Sequence, residues 1–375
     1  MRNFAICGRS IPAYYPDNRS LEAVSIDGVR MLCGVIETAD RAFDTALPAR
    51  AHDVLVRVRR FSCNYRDKSF VMRAATRMPD DRFYVIGSEF VGEVAAVGPA
   101  VTRVQRGDRV MGDNTLPFVG PGHVGEGPHG GIPTNNASGE YLVLHEDKVM
   151  GIPSSMPDDV AAAFSIGAQT AFSMVDKLGL AGGEHVLVTA ASSNTSLFAI
   201  EALRQRDVAI YATTTSEHHV ARLLARGVRE VFVVPSATLF SEHASLVATA
   251  RRVGGFAGVI DPFLDLHLHK VLGLMRTGGR YVSCGMHDQL ALTPHVTDAP
   301  PDYRAALATA IVKNISIVGS CVGLRHHLAQ AVSAYDAGRM DVPIDSVFTG
   351  DRAGAFLERT FTTRDRFGKV VYAYE

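Results

Sequence analysis

Three groupings of side chains in this chain are of types that could do chemistry. Asn64-Tyr65-Arg66-Asp67 sets an amide, a phenol and a carboxylate close together. The run Ala190-Ala191-Ser192-Ser193-Asn194-Thr195-Ser196 is small and polar, and its hydroxyl and amide donors suit an anion such as a phosphate. Fourteen histidines include the pairs His218-His219 and His326-His327. Adjacent residues point apart on a helix, so both pairs are read as solvated surface rather than as metal ligands. The five cysteines (Cys7, Cys33, Cys63, Cys284, Cys321) are scattered, odd in number and contain no Cys-x-x-Cys, so no disulfide framework is expected.

The elements that must position these groups fall into two kinds. Between about residues 155 and 320, short β-branched runs alternate with amphipathic stretches. The candidate strands are Val186–Val188, Val208–Tyr211, Val231–Val234, Gly258–Ile260, Arg280–Ser283 and Ile315–Val318. Thr195 to Arg206 and Ser216 to Arg226 space their apolar residues helically. Parallel strands need crossovers and helices supply them, so this segment predicts a doubly wound α/β sheet of the dinucleotide-binding kind. The first 150 residues are β-rich, with turns rather than helices between strands. The Gly-, Pro- and Asn-dense stretch Gly120–Ser138 reads as a loop near the domain junction. After a helix over Leu324–Ala337, the extended tail around Lys369–Tyr372 is expected to rejoin the first domain. The expected division is therefore 1–154 and 321–375 in a β-rich domain, with 155–320 inserted as a nucleotide-binding domain.

Composition narrows the function classes. A chain of 375 residues that is 47% hydrophobic and 21% charged is globular, and its net charge of −1 offers no basic stripe for nucleic acid. No apolar run reaches the ~18–20 residues a membrane span needs, and no signal peptide is apparent. A cytoplasmic enzyme or binding protein acting on a small molecule is the expectation.

Several collinear segments resemble the medium-chain dehydrogenase/reductase superfamily. Gly87-Ser88-Glu89-Phe90-Val91-Gly92-Glu93-Val94 is similar to its G-H-E-x-x-G-x-V turn, and Arg106-Gly107-Asp108-Arg109-Val110 to its x-G-D-R-V step. Val97-Gly98, Asp261-Pro262, Gly278-Gly279-Arg280 and Phe367-Gly368-Lys369-Val370-Val371 follow in order, and Ala161–Phe164 to Thr170–Phe172 resembles the helix entering the cofactor domain. The resemblance implies a GroES-like β-rich catalytic domain joined to a Rossmann domain, and a homodimer paired through the cofactor domains. The first ~25 residues match poorly, and an extension is expected there.

One departure bears on chemistry. Zinc-dependent members carry Cys, His and Cys where this chain has Asn64, Ser88 and Ile166, and no cysteine lies between Cys63 and Cys284 to build a structural zinc lobe. Amide, hydroxyl and alkyl groups do not replace thiolate and imidazole, so neither zinc is expected. Without a Lewis acid, substrates with a built-in electron sink are favoured: enones, enoyl thioesters and quinones. Asn64-Tyr65-x-Asp67 resembles the N-[YF]-x-D signature of zinc-free quinone and enoyl reductases. That resemblance makes Tyr65 the proton donor or carbonyl-orienting group, Asn64 a polar contact and Asp67 a buried organiser. The plainer alternative is that Tyr65 packs at a strand end.

The cofactor loop departs too. All three glycine positions of the family's phosphate turn are filled, by Ala190, Ser193 and Ser196. In one reading Ser192, Ser193, Asn194 and Thr195 supply donors to the phosphates at the helix N-terminus; in the other the loop has drifted and nucleotide binding is weak or lost. After the second strand, Ala212-Thr213-Thr214-Thr215-Ser216 offers no carboxylate until Glu217, which favours NADP(H) over NAD. Thr214, Thr215 and Ser216 would meet the extra phosphate, with His219 or Arg222 as charge partners. Cys284 and Gly285, after the fifth strand, are expected beside the nicotinamide, and Thr170 and Lys369 belong to the cofactor set by resemblance. The leading expectation is an NADPH-dependent, zinc-independent reductase. The alternative is a relative with lost or altered cofactor use, acting in a non-redox biosynthetic step or as a binding module.

Overall fold

The chain opens on a buried strand where an extension is expected. In the computed structural model, which describes residues 1–14, 21–39, 43–115, 136–287 and 303–374, strand β1 (Arg2–Cys7) holds Phe4, Ala5 and Ile6 with no solvent exposure. A strand buried on both faces lacks the alternation that marks a half-exposed one, so its sequence carries little signal. The strands that follow are β2 (Glu22–Ile26), β3 (Val29–Glu37), β4 (Asp53–Ser62), β5 (Phe83–Val85), β6 (Glu89–Val97), β7 (Arg109–Gly112), β8 (Tyr141–His145) and β9 (Val149–Gly151). β1 pairs antiparallel with β3 and β5, and the sheet order is β2-β3-β1-β5.

The expectation of turns alone between these strands is corrected at the helix Tyr65–Arg77. Asn64 as N-cap and Asp67 three residues on are a helix-start signal. The polar run after them hides a narrow buried face of Val71, Met72 and Ala74.

The chain next builds β10 (Glu184–Val188), β11 (Val208–Thr214), β12 (Glu230–Val233), β13 (Phe256–Asp261), β14 (Met275–Ser283) and β15 (Ser316–Gly319). All pair in parallel, in the order β12-β11-β10-β13-β14-β15. The order reverses between β10 and β13, so their carboxyl ends form the switch point where such sheets bind ligands. The helix Asn194–Leu203 buries Leu197, Phe198, Ile200 and Leu203. Gly167 lies against the Phe198 ring, where a Cβ would come within 2.4 Å of Cδ2, so no larger residue fits without movement.

The tail supplies β16 (Ile344–Thr349) and β17 (Lys369–Ala373), parallel to one another with the helix Ala353–Phe361 between them. β17 pairs antiparallel with β4, setting Tyr372 opposite Phe61. Phe4, Phe61, Phe356 and Tyr372 meet there with ring centroids as close as 4.8 Å, so the first strand and the tail share one aromatic core.

Two units result: Met1–Ile166 with Pro343–Glu375, and Gly167–Val342. The divisions fall at 166/167 and 342/343, where 154/155 and 320/321 are expected. Hydrogen bonds explain the second shift: Gln205 donates to the Arg339 carbonyl (2.9 Å), and Glu201 accepts the Asp341 N–H (3.2 Å). The expected junction loop lies, up to residue 135, outside the described residues. Among the described residues, no helix is long and apolar enough to cross a membrane.

Candidate active site

In the first unit, the end of β4 and the start of the helix Tyr65–Arg77 bring the first motif to the carboxylate of Glu89 on β6. The Asn64 amide nitrogen donates to Glu89 Oε2 (2.8 Å) and Ser88 Oγ (3.2 Å), while its oxygen accepts from Lys369 Nζ (2.9 Å). Lys369 also pairs with Glu89 and donates to the Cys63 carbonyl (3.4 Å). Glu89 further accepts from Ser62 (3.1 Å) and from the Ile166 N–H (2.6 Å). Both members of this ion pair are buried. Asn64 and the Ile166 N–H thus meet at one carboxylate, with Ser88 bonded to Asn64 and the Lys369 ammonium paired to that carboxylate. Asn64 and Lys369, expected at substrate and cofactor, have these buried partners instead: the hydrogens of one amide and one ammonium are directed into the protein.

Asp67 ties the start of the helix to Ser88. Its Oδ2 accepts the Asn64 N–H (2.7 Å) and the Ser88 hydroxyl (2.6 Å), and Oδ1 accepts from Arg66 (3.1 Å). Burial pushes its carboxyl above the usual carboxylate range, against the pull of Arg66 and these bonds. Tyr65 is the first helical residue, with its hydroxyl buried and the Lys68 ammonium 5.6 Å from its ring centroid. Lys68 is itself tied to Asp27 at 2.6 Å.

In the second unit the glycine-free run forms the turn between β10 and the helix Asn194–Leu203. Ala190 adopts φ +43°, the left-handed conformation a glycine would take without strain. Ser193 caps the helix, accepting the Ser196 N–H (3.3 Å), and its hydroxyl donates to Ser196 Oγ (3.1 Å). Ser196 is buried and donates to the Thr189 carbonyl (2.8 Å), so the third glycine position is filled by a hydroxyl with an internal partner. Of the expected phosphate donors, Ser193 is therefore engaged within the turn, while Ser192, Asn194 and Thr195 are half-buried. Asn194 Oδ1 is buried with no hydrogen-bond partner.

At the end of β11, Thr214 is buried and its hydroxyl accepts the Ser216 N–H (3.3 Å); Thr215 is exposed and Ser216 half-buried. His219 is buried rather than solvated, and His218 is exposed. Thr170 is buried on the helix Ser165–Leu178. Cys284 follows β14; burial first, then Asp261, push its thiol up to about 12, so it is a small packing group and not a thiolate. The Gly285 carbonyl accepts from the Leu264 N–H (3.0 Å) and the Ser283 hydroxyl (3.2 Å).

The pair His326-His327 also departs from expectation: the ring centroids lie 3.9 Å apart, and His327 is buried. With Asp176 they form the one grouping, among the described residues, of three potential metal ligands. His327 Nδ1, however, accepts the Leu324 N–H (2.9 Å), which places the neutral ring's proton on Nε2, 3.4 Å from Asp176. That tautomer leaves His327 no lone pair for a metal.

Sequence reasoning quoted Glu89 and Asp261 as landmarks but gave neither a role, and missed His267 and Tyr281. Asp261 is fully buried and accepts from Thr189 Oγ (2.7 Å), the Phe263 N–H (2.9 Å), His267 (2.8 Å) and Tyr281. The one signal available was an acid at the end of an otherwise apolar strand.

Residues 50–154 match the alcohol dehydrogenase GroES-like domain. The chain is 30% identical to polyketide synthase GfsB of Streptomyces halstedii over 69% of its length, which is 4% of that protein. The chain thus spans only a small part of the first synthases it matches. It is 25% identical to the quinone oxidoreductase of Homo sapiens, over 68% of this chain and 71% of that one. A solved 2-octenoyl-CoA carboxylase reductase in complex with NADP and 2-octenoyl-CoA shares the fold, with TM-score 0.74 and 18% identity over 100% of this chain and 87% of that one.

Proposed function

We propose that the chain, a medium-chain dehydrogenase/reductase by its GroES-like segment and its likeness to the quinone oxidoreductase, is an NADPH-dependent, zinc-independent reductase of an activated C=C or C=O, its substrate an enone, enoyl thioester or quinone. The observation that carries the proposal is the turn at the switch point of the parallel sheet: without glycine, it still enters the left-handed region at Ala190 and starts a capped helix at Ser193. The donor set fits a dinucleotide. The side chains from Ala190 to Ser196 are small or polar, the helix Asn194–Leu203 presents its N-terminal amides, and Asn194 Oδ1 is an unmet acceptor for a bound hydroxyl. Absence of a carboxylate from Ala212 to Ser216 supports NADPH over NADH. A bound nicotinamide would supply the hydride.

The chain's own groups would do the rest. Tyr65 would donate a proton, or a hydrogen bond, to the substrate oxygen as negative charge develops there, held at the helix start by Asp67 and Asn64. Lys369 and Glu89 support a zinc-free site, because an ammonium already neutralises the buried carboxylate among the ligand positions. A homodimer is part of the same proposal. One observation favours the second reading, a relative with altered cofactor use: the Ser193 and Ser196 hydroxyls already have partners inside the turn. The test is loss of reduced-nicotinamide absorbance with NADPH and a panel of enones, enoyl thioesters and quinones. Turnover of one class with NADPH supports the reductase; binding of NADPH with no turnover of any class favours the second reading.

A further inference from the structure

We infer that Asp261 is a positioning residue that holds the glycine-free turn after β10 in register with the Cys284–Gly285 segment after β14, so that one buried carboxylate sets both backbone stretches expected along the dinucleotide. The inference rests on the proposed cofactor reading for its ligand, and on the hydrogen bonds alone for its geometry. A turn without glycine needs something to hold it, since an alanine in the left-handed region is strained by about 1–2 kcal/mol. Here the hold is a ladder of side chains: the Ser193 hydroxyl donates to Ser196, Ser196 to the Thr189 carbonyl, and the Thr189 hydroxyl to Asp261 Oδ1. Backbone bonds flank it, from Thr189 N–H to the Ile260 carbonyl (3.0 Å) and from Ala191 N–H to the Thr213 carbonyl (2.8 Å).

The same carboxylate reaches the other segment. Its Oδ1 accepts the Phe263 N–H and His267 Nδ1; the next residue, Leu264, donates its N–H to the Gly285 carbonyl. Its Oδ2 accepts the hydroxyl of Tyr281, a fully buried residue of β14 two positions before Ser283. Four donors, from the residue after β10, the β13–helix loop, the helix Leu264–Val271 and β14, converge on Asp261, about the full capacity of an ionised carboxylate. Networks of this kind over-determine the groups they join.

The test separates the Thr189 hydroxyl from its shape. Thr189→Val keeps the volume and removes the donor; Thr189→Ser keeps the donor. Amide hydrogen exchange is read over residues 190–196 in the ligand-free protein, and NADPH affinity by titration. The expected result is about tenfold faster exchange and about tenfold weaker NADPH binding in Thr189→Val, on the scale of one hydrogen bond to a charged group. kcat at saturating NADPH should change less than twofold, and Thr189→Ser should lie within twofold of the parent in every reading. Exchange in Thr189→Val equal to that of the parent overturns the inference, whatever the nucleotide does. Faster exchange in Thr189→Val, rescued in Thr189→Ser, in a protein that binds no nicotinamide nucleotide upholds the positioning role and overturns the cofactor reading alone.

Discussion

Lys369 and Glu89 carry opposite charges into a region sealed from water, and each is close to the amide of Asn64. Replacing Lys369 by Met leaves the carboxylate without its cation, a change that costs about 3–5 kcal/mol in buried pairs. The expected outcome is a fall of that size in the free energy of urea unfolding, with at least half restored by adding Glu89→Gln. Equal stability of Lys369→Met and the parent would show that the pair does not bear on folding. Tyr65 is different in kind, since the proposed reaction gives its hydroxyl a part. Tyr65→Phe is expected to lower kcat about 100-fold, within the range of a lost general acid, and to leave NADPH affinity unchanged. A matching loss of nucleotide affinity would point instead to a packing role.

Two elements give predictions of their own. Ala190→Gly relieves the left-handed strain, partly offset by the freer unfolded chain, so a gain of up to about 1 kcal/mol in unfolding free energy is expected. A loss would mean the alanine methyl packs better than the backbone is strained. Before β9, Glu146 accepts the backbone N–H groups of Thr102 (2.8 Å) and Arg103 (3.0 Å) and bonds to His52 (2.8 Å), which hold its carboxyl at about 2. A carboxyl lowered in the folded state contributes stability above its ordinary value of 4.5, and that contribution disappears as pH falls from there towards 2. Glu146→Gln should therefore destabilise at pH 7 and approach the parent near pH 2 to 3; a constant gap across that range would contradict the assignment.

The elements also show what could be read from sequence. The six parallel strands and the tail strand were legible because apolar runs and turn residues repeat at regular spacing. β1 was not, because a strand buried on both faces has no alternation. Nor was the helix after Asn64, whose buried face is narrow. The turn at Ala190–Ser196 was legible in position but not in wiring: its hydroxyls bond to one another and, through Thr189, to a carboxylate some seventy residues away in the chain. The pairing of Glu89 with Lys369 spans 280 positions, which no local pattern reports.

At the scale of the molecule, the first unit is closed by both ends of the chain, since Phe4 packs with Phe356 and Tyr372 and its N–H donates to the Tyr374 hydroxyl (2.9 Å). Removing residues 1–14 deletes a central strand of the β2-β3-β1-β5 sheet, and the truncated chain is expected not to fold into a soluble form. The second unit has a six-stranded parallel sheet with a reversal of strand order between β10 and β13, and the turn after β10 has no glycine. The proposal stands on that turn still accepting a nucleotide. The most direct measurement is therefore titration of the purified protein with NADPH and, separately, NADH, followed by calorimetry or nicotinamide fluorescence. The account predicts micromolar binding of NADPH and at least tenfold weaker binding of NADH. Failure of both nucleotides to bind at millimolar concentration would contradict it.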